Sequence, residues 1–130
     1  MIGLDTNVLV RFFVQDDAHQ ASIANALLMK LTPEIPGFVS NVVLAELIWV
    51  LAASYGIARD RIGAIVERLV NAKELVIENA ACARRALAIF QSANVDFADA
   101  LIAELAHEAG CTEVVTFDRG GKRAGMRLLV

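Results

Sequence analysis

Four acidic residues of the chain, Asp5, Glu46, Asp99 and Asp118, could together carry metal-assisted chemistry. Asp5 directly follows a short apolar run at the start of the chain, in MIGLDTN, and Asp118 follows VVTF in the same way. If these runs are parallel strands of one sheet, both carboxylates lie at the rim where the strands end. Carboxylates that lie a few ångströms apart repel one another, so a proton or a cation must relieve them.

Glu46 is the hardest of the four to explain as an ordinary surface residue. Three and four positions away on its expected helix stand Val42, Val43, Trp49 and Val50, and none of them is basic. An unpaired carboxylate among such residues must reach water, find a distant Arg or Lys, or bind a cation.

The other three acids also have ordinary structural interpretations. Asp5 could cap the helix after it, Asp96 and Asp99 could cap and support the first turn of another helix, and Asp118 could be a turn residue. Considered together, however, oxygen ligands without His or Cys favour a hard ion such as Mg²⁺ or Mn²⁺. Such an ion supports the hydrolysis of phosphodiesters.

The elements that must position these acids form an alternating pattern. Strands are predicted at residues 2–4, 37–39, 75–77, 113–116 and 127–129. Helices are predicted at residues 7–14, 18–31, 42–55, 59–71, 80–92 and 97–109. Apolar strands separated by helices are typical of a parallel sheet covered on both faces. The chain is therefore predicted to form one α/β domain over residues 1–130, a three-layer sandwich with a central parallel sheet.

Composition and charge restrict the possible partners. With 57% hydrophobic residues, the chain has more apolar side chains than a typical globular protein, so some apolar surface is expected to contact a partner. The net charge of −3 gives no general signal for nucleic acid. The last twelve residues, however, contain Arg119, Lys122, Arg123 and Arg127 and no acid. This basic segment is either a solvated face or a surface that binds a nucleic-acid backbone.

The sequence is expected to belong to a cytoplasmic protein. Cys82 and Cys111 lie far apart without metal or redox spacing, which is typical of reduced thiols. No signal peptide is recognised at the N-terminus. The apolar stretch 35–58 has Glu46 as its only charge, but it also contains Pro36 and Gly37, so a buried strand and helix are expected rather than a membrane span.

Essentially the whole chain resembles the PIN domain family, in particular the small toxin ribonucleases of VapBC-type toxin and antitoxin pairs. The resemblance is carried by IGLDTNVLVRFF near the start, VSNVVLAELIWVL in the middle and DFADALIAELAHEAGCTEVVTFD near the end. DTN alone is a weak signal. Its combination with a Glu in an apolar helix, ADALIA and TFD, in this order and at these separations, is a strong one.

The resemblance implies a Mg²⁺- or Mn²⁺-dependent endoribonuclease that hydrolyses RNA phosphodiester bonds. Its metal-binding and catalytic residues would be Asp5, Glu46, Asp99 and Asp118. Asp96 competes with Asp99 for the third place, but the acid of the family directly precedes the apolar ALIA run, which favours Asp99. Asp96 would then be a helix cap or an outer residue of the site.

The resemblance also implies partners. Toxins of this type usually form homodimers and are silenced by an antitoxin whose C-terminal segment lies across the active-site groove. Asn7 and Thr116 match positions that orient the acids or the substrate in the family. The two adjacent glycines after Asp118 depart from the more aromatic or acidic loop of many relatives.

Two other functions compete with this interpretation. A phosphatase similar to the haloacid dehalogenase family needs a second acid two residues after the first, and Asn7 occupies that position. A catalytically inactive PIN-like module that binds RNA or a protein partner is the second alternative. The presence of all four acids argues against this module.

Overall fold

The computed structural model describes residues 1–130, and its strands and helices alternate as the sequence predicts. The strands are β1 (Ile2–Gly3), β2 (Gly37–Val39), β3 (Leu75–Ile77), β4 (Val115–Thr116) and β5 (Arg127–Leu128). The helices are α1 (Thr6–Val14), α2 (Ala18–Met29), α3 (Asn41–Ala53), α4 (Arg59–Asn71), α5 (Ala80–Ser92), α6 (Phe97–Glu108) and α7 (Arg119–Arg123). The predicted α/β class with parallel strands is confirmed.

The strands form two groups rather than one continuous hydrogen-bonded sheet. β2 lies between β1 and β3, and β4 pairs with β5; all these pairings are parallel. Gly37 opens the central strand, where a β-carbon would come within 2.9 Å of the side chains of Leu4 and Leu31. A glycine at this position therefore lets β2 pack closely between its neighbours.

The packing of α3 determines which way Glu46 points. Leu44, Leu47, Ile48 and Leu51 are buried with the spacing i, i+3, i+4 and i+7, so they form the core-facing stripe of the helix. Glu46 lies off this stripe and is exposed. Of the three outcomes expected for this carboxylate, which were water, a distant Arg or Lys, and a cation, the structure shows that it reaches water.

The short helix α7 was not among the predicted elements. Gly120 and Gly121 disfavour a helix in their own right, but α7 begins at a good cap, because the backbone N–H of Gly120 donates to the Asp118 carboxylate at 2.9 Å. Gly121 is buried, and a β-carbon there would come within 2.9 Å of Thr116 and 2.8 Å of Met126. Close packing against β4 thus accounts for one glycine of the unusual pair.

The apolar stretch 35–58 contains β2 and α3. No helix in the structure combines the length and the apolar character that crossing a membrane requires.

Candidate active site

Asp5 and Glu46 are joined through Thr6 at the start of α1. The Asp5 carboxylate caps this helix and accepts a hydrogen bond from the Thr6 backbone N–H at 2.8 Å. Thr6 is only 6% exposed, and its hydroxyl donates a hydrogen bond to Oε1 of Glu46 on α3. Two acids from distant parts of the sequence therefore face the same place.

An open cleft of about 280 Å³ lies at this place. Its lining residues are Asp5, Thr6, Asn7, Val10, Arg11, Glu46, Val50 and Tyr55. The cleft thus contains both carboxylates, one cation and one phenol. Asn7 is exposed, so its position is compatible with a contact to substrate.

Asp99 belongs to a second acidic group, formed with Asp96 and Asp118. Partial burial on the first turn of α6 raises the pKa of the Asp99 carboxyl, and repulsion from Asp96 and Asp118 raises it further. Asp96 stands at the N-cap position of α6, as predicted, but its side chain makes no capping hydrogen bond. Its carboxylate is therefore free to act on Asp99 through charge.

Asp118 is held in place from both sides. Its backbone N–H donates to the hydroxyl of Thr116 at 3.0 Å, while its carboxylate accepts from Gly120 at 2.9 Å. Thr116 therefore orients the turn that carries Asp118.

The structure places the four predicted site residues in two groups. Asp5 and Glu46 share the cleft through Thr6, and Asp99 interacts electrostatically with Asp118. No three acidic, His or Cys side chains are arranged to hold one ion in common. A single ion site formed by all four acids therefore stays a prediction.

The chemistry of the available ligands fits a hard divalent cation. Both groups offer only carboxylate, hydroxyl and carbonyl oxygens, which suit Mg²⁺ and Mn²⁺. A bound cation would stabilise the ionised form of Asp99 in particular, since it would offset the repulsion from Asp96 and Asp118. The softer thiol of Cys82 is buried and directed at the backbone carbonyl of Glu104.

Sequence reasoning did not assign roles to Thr6, Arg11 or Tyr55, which also line the cleft. The only signal for Thr6 was its place between Asp5 and Asn7, in a motif where a threonine is an ordinary capping residue. Arg11 and Tyr55 meet through a hydrogen bond across 44 residues, which no local pattern reveals.

Comparison with known families assigns the chain to one of them. A search of curated proteins found no match to the chain. The sequence profile of the PIN domain matches residues 2–125, which includes all four acids. PIN domains are generally nucleases that need a divalent metal ion. The chain therefore belongs to the PIN domain family.

Proposed function

We propose that the chain is a Mg²⁺- or Mn²⁺-dependent endoribonuclease whose metal ligands and catalytic residues are Asp5, Glu46, Asp99 and Asp118. The observation that carries the proposal is the Thr6 hydrogen bond to Glu46, which links this acid to Asp5 at one cleft. Because the chain belongs to a family of metal-dependent nucleases, we interpret this acidic cleft as part of a metal-binding site.

The side chains have distinct parts in this proposal. A bound divalent ion supplies Lewis acidity toward a phosphodiester oxygen. Asp5 uses one oxygen as a helix cap and keeps the other for a ligand, and Thr6 fixes the orientation of Glu46. Burial and the charges of Asp96 and Asp118 disfavour the ionised form of Asp99, and a bound cation would favour that form, which a metal ligand requires.

The proposed substrate is single-stranded or loop RNA. A phosphodiester must approach the acids closely, and an unpaired strand bends into a cleft more readily than a rigid duplex. Arg119, Lys122 and Arg123 are exposed on α7 directly after Asp118, where they would attract the backbone. Arg127, in contrast, is engaged in an ion pair with Glu113 at 2.9 Å.

A toxin role with a homodimer and an antitoxin is also part of the proposal. Val42 and Trp49 are 76% and 66% exposed on α3, and they lie one turn to either side of Glu46. A partner that covers these apolar side chains would lie beside the acidic cleft. Val42 and Trp49 are available to either proposed partner, and an antitoxin bound to them would lie close enough to block access to the cleft.

Cleavage of defined RNAs tests the proposed activity. The purified chain is incubated with an end-labelled single strand, a hairpin and a duplex, in EDTA and then with Mg²⁺ or Mn²⁺. We expect metal-dependent cuts in the single strand and the loop, and their loss in Asp99→Asn. The matched control is Glu67→Gln, a charge change on the exposed face of α4, which should cut like the parent. Full activity in EDTA would contradict the metal requirement.

A catalytically inactive PIN-like module is the second candidate. It is favoured by the division of the acids into two groups that do not present three ligands to one ion. Such a module would bind RNA or a protein without cutting RNA and would show no change in thermal stability with divalent metal. Metal titration monitored by thermal melting therefore separates the two candidates before any substrate is known.

A further inference from the structure

Arg11 is the only basic residue that lines the cleft of Asp5 and Glu46. Its side chain is 27% exposed, so it is accessible to a ligand. A free guanidinium at such a place would be expected to pair with the cleft carboxylates and to compete with a metal ion. Arg11 instead forms its ion pair with Asp16, at 3.2 Å.

Three contacts hold the Arg11 guanidinium in this position. Nε donates to Oε1 of Gln20 at 2.7 Å, and Nη1 donates to the Tyr55 hydroxyl and to Asp16 Oδ1, each at 3.2 Å. The Tyr55 hydroxyl in turn donates to the other oxygen of Asp16 at 2.9 Å. The resulting cluster of Arg11, Asp16, Gln20 and Tyr55 connects α1, α2 and the segment after α3.

The Nη2 group of Arg11 has no hydrogen-bond partner in the protein, whereas Nε and Nη1 are both engaged. Arg11 also lines a second cleft, of about 230 Å³, and Asn7, one helical turn earlier, lines both. The two side chains thus form a polar ridge between the clefts. An extended polymer that enters the acidic cleft and leaves over this ridge must pass Arg11.

We propose that Arg11 binds a backbone phosphate of the RNA, on a nucleotide next to the scissile one, through its free Nη2 donors. Tyr55 and Asp16 are positioning residues that keep the guanidinium away from Asp5 and Glu46. Thr6 and Arg11 lie about 7.5 Å apart along the axis of α1, so the phosphate at Arg11 is close to the acids but separate from them. The inference rests on the proposed ribonuclease function.

Substitution of Arg11 tests the subsite with an end-labelled single-stranded RNA. Loss of a charge-assisted contact in Arg11→Gln should raise KM about tenfold with kcat nearly unchanged, because the contact is made before and during the reaction. Binding is measured as a function of KCl concentration in an Asp99→Asn background, which prevents turnover. Here Arg11→Gln should lower the slope of log Kd against log salt by about 0.7.

Three further variants separate a binding role from a structural one. Arg11→Lys keeps the charge without the planar fork and should retain most of the salt slope while raising KM. Tyr55→Phe should raise KM less than Arg11→Gln does. Arg61→Gln removes an exposed arginine of α4 that has no side-chain partner, so it should match the parent.

The possible outcomes distinguish this inference from the proposed function. If the parent cleaves RNA and Arg11→Gln changes only the melting temperature, Arg11 braces the fold and the subsite is wrong. If the parent neither binds nor cleaves RNA, the ribonuclease proposal fails, and the subsite fails with it. If Arg61→Gln lowers the salt dependence of RNA binding as much as Arg11→Gln does, the effect comes from the net charge of the protein and not from a phosphate-binding site at Arg11.

Discussion

The hydroxyl of Thr6 donates a hydrogen bond to Glu46, and this contact joins the first turn of α1 to the middle of α3. Thr6 is buried, so its hydroxyl has few alternatives to this acceptor. Glu46 is exposed and keeps its second oxygen for water or an ion. One buried hydroxyl thus fixes the direction of an exposed carboxylate.

Replacing Thr6 by Val removes this hydroxyl while keeping the shape of the side chain. We expect a loss of about 1 kcal/mol in the free energy of unfolding, since Glu46 can turn to water when the donor is lost. The stronger effect should be on RNA cleavage, because Glu46 would no longer be held toward the cleft. Thermal melts and cleavage rates test this, and Thr6→Ser, which keeps the hydroxyl, should restore cleavage. Equal rates in parent and Thr6→Val would show that the hydrogen bond has no part in the site.

The raised pKa of Asp99 predicts how stability depends on pH without metal. Burial and the charges of Asp96 and Asp118 raise the folded-state pKa above the ordinary value of 3.8. The stability that this shift gives is present below the unfolded pKa and is lost as pH rises through the folded pKa. In EDTA, Asp99→Asn should therefore gain stability relative to the parent over this interval, and the difference should become constant above it.

A second substitution tests the cause of that dependence. Asp96→Asn removes one of the charges that raise the pKa of Asp99. In this background the change in stability that Asp99→Asn produces should be smaller, as a double-mutant cycle would measure. A difference between parent and Asp99→Asn that does not change with pH would contradict the proposed repulsion.

Sequence reasoning located the acids better than it described their contacts. Asp5 and Asp118 were predicted to follow strands because an apolar run ends directly before each, and both do. The partner of Glu46 could not be predicted, since Thr6 is 40 residues away and reaches Glu46 only because α1 packs on α3. Periodicity shows which face of a helix is buried, but it does not show which side chain of another helix meets it.

Two other differences between the predicted and the observed fold also arise from tertiary contacts. α7 was missed because Gly120 and Gly121 oppose helix formation locally, whereas packing against Thr116 and Met126 favours it. The separation of β4 and β5 from the other strands depends on backbone pairing, which the sequence of strands only two residues long does not specify. Local preferences therefore predicted the order of the elements except for α7, and tertiary packing determined α7 and the strand pairing.

Trp49 provides a direct test of the proposed homodimer. It is the single tryptophan of the chain and is 66% exposed on α3, so its emission reports on whatever covers this surface. If a second copy covers it, dilution from micromolar to nanomolar concentration should shift the emission to longer wavelength as the dimer dissociates. Trp49→Lys should then elute as a monomer, whereas Met29→Lys, at an apolar position of α2 that is 86% exposed, should elute like the parent. A parent that is monomeric at all concentrations would contradict the dimer.

The last prediction separates the two roles of Asp5, as a cap of α1 and as a proposed metal ligand. Asn caps a helix about as well as Asp, whereas Ala does not, so in EDTA Asp5→Ala should melt about 4 °C below Asp5→Asn. At about 100 times its dissociation constant, Mg²⁺ or Mn²⁺ should stabilise the parent by roughly 2.7 kcal/mol and both Asp5 variants by much less.

Asp17 is the matched control, because it caps α2 through the Gln20 backbone N–H at 2.9 Å and does not line the acidic cleft. Asp17→Ala should lose stability in EDTA as Asp5→Ala does, yet it should gain as much from metal as the parent. Thermal melts of these variants, each in EDTA and in metal, make the comparison. If Asp5→Asn gains as much from metal as the parent, Asp5 is only a helix cap, and the metal must be held by the acids around Asp99 instead.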